Sequence, residues 1–60
     1  MMQDLKLRLE LASLKGKKLF LDGEEFIDDK AVVGELIKRG EVTIRIIEDG
    51  NYFSLETGEE

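Results

Sequence analysis

Leu5-Lys6-Leu7-Arg8-Leu9-Glu10-Leu11 alternates four leucines with three charged residues. Alternation is the period of a β-strand with one face buried and the other in water. Read that way, residues 3–14 form a first strand. Its parity changes near the end, because Leu5, Leu7, Leu9 and Leu11 are odd whereas Ala12 and Leu14 are even. One strand face cannot hold both sets without an inserted residue, so a β-bulge or sharp bend is expected near residues 11–13. Lys15-Gly16-Lys17 then supplies a hairpin turn, with Gly16 at positive φ.

The second strand is expected over 18–22, with Leu19 and Leu21 on one face and Phe20 on the other. Asp22-Gly23 marks a turn, and 24–27 a short extended step. Asp28 or Asp29 is a helix N-cap, since a carboxylate there accepts hydrogen bonds from first-turn amides and suits the positive dipole end. The helix runs to Arg39, with Lys38 and Arg39 at its negative end and Gly40 just beyond. Val32, Val33, Leu36 and Ile37 form its apolar stripe. Gly34 lies mid-helix, at about 1 kcal/mol against alanine. Close packing, simple tolerance or a partner's notch are the readings open for it.

A second hairpin follows, with strands over 41–48 and 51–57. Asp49-Gly50 reads as a two-residue type I′ loop. That loop sets Glu48 opposite Asn51, Ile47 opposite Tyr52, Ile46 opposite Phe53, Arg45 opposite Ser54 and Ile44 opposite Leu55. Ile44, Ile46, Phe53 and Leu55, with Val42, make the core face. The outer face then carries Ile47 and Tyr52, which with Phe20 form an apolar spot among charges. Asp22-Gly23-Glu24-Glu25-Phe26 echoes Asp49-Gly50-Asn51-Tyr52-Phe53, an echo explained by shared turn chemistry.

The expected fold is therefore one α+β domain over 1–60, β-β-α-β-β. An antiparallel sheet of about four strands carries one helix on one face, and 58–60 form a disordered tail. A small bent β-barrel with one helix is the alternative.

Sixty residues bury a smaller fraction of their surface than a larger domain does, so stability gains from self-association. The chain has no cysteine and no histidine. Disulfides, thiolate nucleophiles and cysteine metal sites are excluded, and with histidine go the commonest general base and transition-metal ligand. Ser13 and Ser54 have no histidine to activate them. The glycines are too scattered for a phosphate-binding loop. No catalytic residue, cofactor, metal or small-molecule substrate is expected. No apolar stretch reaches membrane length, and the amino terminus lacks signal-peptide blocks, so a cytoplasmic location without membrane contact is expected.

Net charge is −5 and unevenly spread. Residues 1–20 hold five basic and two acidic residues, and residues 21–60 hold four and twelve. Such polarity suits a charged partner or head-to-tail pairing.

Three sets of candidate residues follow. Phe20, Ile47 and Tyr52 suit a protein contact or self-association. Asp22, Glu24, Glu25, Asp28, Asp29 and Glu35 offer an acidic strip able to imitate nucleic acid. Lys6, Arg8 and Arg45 on the outer sheet face, with Lys15, Lys17 and Lys18 at its end, offer a single-strand nucleic-acid site in which Tyr52 stacks on a base. The leading expectation is a non-catalytic protein-binding module, an accessory or inhibitor protein of a virus or mobile element, acting by occluding a partner or forming a homodimer. Nucleic-acid binding is one alternative. The absence of Cys, His, Pro and Trp also fits a designed or thermophile scaffold without activity, although the doubled Met start and Gly34 are not idealised choices.

Overall fold

A computed structural model describes residues 2–40 and 43–58. The chain is α+β: α1 (Met2–Leu14), β1 (Lys18–Leu21), β2 (Glu24–Phe26), α2 (Asp29–Arg39), β3 (Thr43–Glu48) and β4 (Tyr52–Gly58). The sheet is open, in the order β2-β1-β4-β3, and not a barrel. The four expected strands are present in number, but two helices replace one. The sheet is mixed, because β1 pairs parallel to β4 while the two hairpins are antiparallel. Gly58, expected in the tail, ends β4 opposite Thr43. The expected strand residues Glu41 and Val42, and the tail residues 59 and 60, lie outside the described residues.

The alternating leucines form a helix, not a strand. Two residues advance an α-helix by about 200°, so every second side chain lands on nearly opposite sides. Leu5, Leu9 and Ala12, spaced i, i+4, i+7, are buried. Leu7, Leu11 and Leu14 repeat that spacing on the far side and are exposed. The parity change at Ala12 is therefore a helical step, and residues 11–13 hold no bulge. Gly16 does take positive φ, at 79°. It does so as a helix terminator: its N–H donates to the Ser13 carbonyl and that of Lys17 to the Ala12 carbonyl, both at 3.0 Å. This pairing closes the last turn of α1 and satisfies its orphan carbonyls.

The two Asp-Gly pairs behave differently. At Asp22-Gly23 both residues have positive φ, 51° and 84°, as a type I′ loop between paired Leu21 and Glu24 demands. The extended step after it is β2, the fourth strand. At Asp49-Gly50 the aspartate side chain takes over the turn. Asp49 Oδ1 accepts from the Asn51 and Tyr52 amides at 2.7 and 3.1 Å, and Asp49 N–H donates to the Tyr52 carbonyl at 3.0 Å. The loop becomes Gly50-Asn51 and the register moves by two residues. Glu48 now faces Phe53, Ile47 faces Ser54 and Ile46 faces Leu55. A two-residue shift preserves parity, so Ile44, Ile46, Phe53 and Leu55 keep the core face.

Both helices lie on that face. Leu5, Leu9 and Ala12 of α1 and Val32 and Leu36 of α2 form one buried cluster with Leu19, Leu21, Phe53 and Leu55. Phe26, Val33, Ile44 and Ile46 pack around it. The second sheet face carries no helix.

Helix α2 forms as its sequence demands. Asp28 is the N-cap, accepting from the Ala31 N–H at 2.8 Å, and Gly40 caps the other end. Gly40 has φ 79° and ψ −140°, a region essentially reserved for glycine. A Cβ added at Gly34 or at Gly40 meets no atom within 4 Å, so Gly34 is not held by close packing. The two glycines therefore respond oppositely to alanine. Gly34→Ala is expected to stabilise by about 1 kcal/mol through helix propensity. Gly40→Ala is expected to cost about 1–3 kcal/mol through backbone strain. Urea denaturation of both variants checks the pair, and equal shifts would contradict it.

Candidate functional site

The uncovered sheet face gathers one of the three candidate sets. Strand parity points Lys18 and Phe20 of β1, Glu25 of β2, Arg45 and Ile47 of β3, and Tyr52, Ser54 and Glu56 of β4 away from the helices. Ile47, Ser54 and Phe20 form one row across three strands, and Tyr52 sits one step along beside Lys18. Phe20 and Tyr52 meet edge to face, with ring centroids 6.4 Å apart and planes at 86°. That geometry sets the positive edge of one ring against the negative face of the other. Phe20, Ile47 and Tyr52 are each half-buried. Ile47 lies diagonal to Tyr52 rather than directly opposite. Lys18, Glu25 and the Arg45–Glu56 ion pair, at 2.7 Å, surround the spot.

The basic set is not brought together. Lys6 and Arg8 lie on α1, across the molecule from this face, because their segment is helical. Lys15 and Lys17 lie in the α1–β1 link, and only Lys18 and Arg45 reach the outer face. Much of this charge is met within the chain. Glu48 accepts from Lys17 Nζ at 2.8 Å and Arg8 Nη2 at 3.4 Å. The Arg8 guanidinium also stands 5.7 Å from the Phe53 ring centroid, a cation–π contact closing one end of the core. The hydrogen bond from Lys17, then its charge and the contacts of Arg8, hold the Glu48 carboxyl below its ordinary value.

The acidic set divides by role. Asp28 caps α2. Glu35 pairs with Arg39 at 3.4 Å and Lys38 at 3.9 Å. Asp22 accepts from the Thr57 N–H at 2.8 Å, from the Thr57 hydroxyl at 2.6 Å and from Arg39. Glu24, Glu25 and Asp29 have no ion pair among the described residues. No three carboxylates converge on a point able to hold a metal ion, among the described residues.

The Asp22 cluster ties the β1–β2 turn to the end of β4 and the last turn of α2. Hydrogen bonds from the Thr57 hydroxyl and amide, then from Arg39, hold its carboxyl at about 2 against an ordinary 3.8. A carboxyl depressed on folding contributes stability above its unfolded pKa, and that contribution disappears as pH falls through the folded value. Melting temperature is therefore expected to decline between about pH 4 and pH 2. Asp22→Asn tolerates the 51° φ and removes the charge. Its profile is expected to be flatter across that window, by about one proton's linkage. An unchanged slope in thermal melts would contradict this role.

The sequence reading missed the exposed leucines of α1. Leu7, Leu11 and Leu14 are 57%, 55% and 84% exposed, and Ile37 of α2 is 66% exposed. Between the helices runs an open groove of about 360 Å³, lined by Lys6, Glu10, Val33, Gly34 and Ile37 among others. The alternation itself held the signal, since on a helix it predicts two opposed leucine stripes. Among the described residues, no helix is long and apolar enough to cross a membrane. No family model matches the chain, and no curated protein or solved structure is significantly similar to it.

Proposed function

We propose that this chain is a non-catalytic protein-binding module that covers a partner's surface with its open sheet face, through Phe20, Ile47 and Tyr52. The observation that supports this reading is the edge-to-face Phe20–Tyr52 pair, with Ile47 one row away, on the side neither helix covers. An apolar centre ringed by charge matches the anatomy of a protein contact, in which aromatic residues anchor and the rim stays polar.

The test places a photo-crosslinking residue at Ser54, the middle of the patch, and treats an extract of the source cells. One dominant adduct is expected, lost in Ile47→Asp and in Tyr52→Ala but retained in Lys6→Glu. No adduct, or one indifferent to Ile47→Asp, would overturn the reading. The nucleic-acid alternative requires Lys6 and Arg8 beside Tyr52, and they lie on α1. Its signature would be single-strand binding that weakens steeply with salt and with Lys18→Glu.

A further inference from the structure

We propose that the exposed leucine stripe of α1 pairs with the same stripe of a second copy, the two helices running antiparallel about a two-fold axis. This surface lies across the molecule from the open sheet face, and the inference stands independently of that face.

Leu7 and Leu14 are two helical turns apart on nearly one azimuth, and Leu11 lies between them and slightly to one side. A two-fold axis through the middle of α1 sets Leu7 against Leu14 of the other copy and brings the two Leu11 side chains together. Such a contact is self-complementary, as an isologous interface must be. The charges obey the same symmetry. Asp4 and Lys15 are eleven residues apart, close to three turns, so both flank the stripe on one side. An antiparallel copy lays its Lys15 near Asp4 at each end. Each positive helix N-terminus also approaches the other copy's negative C-terminus. On the opposite flank Glu10 lies near the axis, with Lys6 one turn away on its own helix.

The rest of the molecule makes a second copy the fitting occupant. The net charge of −5 would hold two copies apart, yet α1 carries Lys6 and Arg8 against Asp4 and Glu10 and so is close to neutral. The stripe therefore lies on a helix whose own charges sum to zero, where two copies meet with far less repulsion than the charge of the whole chain implies. A single helix face about 20 Å long covers less than the roughly 800 Å² per partner of a standard interface. A dimer with Kd of about 10–100 μM is therefore expected. It would leave both sheet faces open, and so present two partner sites at once.

Light-scattering chromatography or sedimentation equilibrium from about 5 μM to 1 mM tests this, a range that spans the expected Kd. The mass is expected to rise from monomer to dimer. Leu11→Lys should hold the monomer throughout, with an unchanged circular dichroism spectrum. Asp4→Lys should weaken the dimer at least several-fold, and Asp4→Lys with Lys15→Asp should restore it, which unspecific sticking would not do. Because the described chain has no cysteine of its own, Leu11→Cys should form a covalent dimer under added oxidised glutathione while Ile27→Cys, at a still more exposed position, should not. A monomer at every concentration, a dimer indifferent to Leu11→Lys, or failure of the charge exchange to restore pairing would overturn the proposal.

Discussion

Phe53→Ala is expected to leave the protein largely unfolded at 25 °C. Phe53 is fully buried on β4, one of the two interior strands, which pairs with both β1 and β3. It shares its face with Leu19 on one side, and Arg8 covers its ring. Truncating a buried phenylalanine costs about 3–5 kcal/mol, part from lost transfer energy and part from the cavity left behind. A domain of this size has only about 3–5 kcal/mol in hand. Urea titration followed by far-ultraviolet circular dichroism should show no folded baseline, or a transition moved close to zero denaturant. A variant retaining most of the wild-type midpoint would mean that β4 is not the centre of the core.

Leu9→Lys and Leu7→Lys are expected to differ by several kcal/mol although the residues are two apart. Leu9 is 1% exposed, and a lysine there must bury its ammonium or open the α1–sheet contact, either of which exceeds the available stability. Leu7 is 57% exposed and faces water, and lysine is a good helix former, so the expected change is within about 0.5 kcal/mol. A strand with all four leucines on one face would make the two substitutions equally damaging. Denaturation midpoints measured at low micromolar concentration, below self-association, therefore discriminate helix from strand. Equal losses would contradict the helical α1.

Several elements were legible because their determinants are local. Helix α2 announces itself through the Asp28 cap, its apolar stripe and the terminating Gly40, each acting within about one turn. The Asp22-Gly23 loop needs only two residues at positive φ. Phe20, Ile47 and Tyr52 reached the same outer face even though the expected register was two residues off, because side-chain orientation in a strand depends on parity alone. The basic set failed for the opposite reason. Its geometry depended on residues 3–14 being a strand, so Lys6 and Arg8 moved to the other side of the molecule when that segment proved helical. At Asp49 a side chain competed with the backbone for the turn amides, a choice the Asp-Gly pair leaves open.

By itself the sequence determined the α+β class, the strands at 18–21, 43–48 and 52–58, the capped second helix, and the inward residues Leu19, Leu21, Ile44, Ile46, Phe53 and Leu55. Tertiary structure alone decided the state of residues 5–14. A repeat of two satisfies a strand turning 180° per residue and also a helix turning about 200° per pair, so no local energy separates them by much. Packing separates them. As a helix the segment lays Leu5, Leu9 and Ala12 beside Val32 and Leu36 on a sheet completed by the short β2. The parallel β1–β4 pair likewise joins residues more than thirty positions apart, a contact that no window of sequence contains.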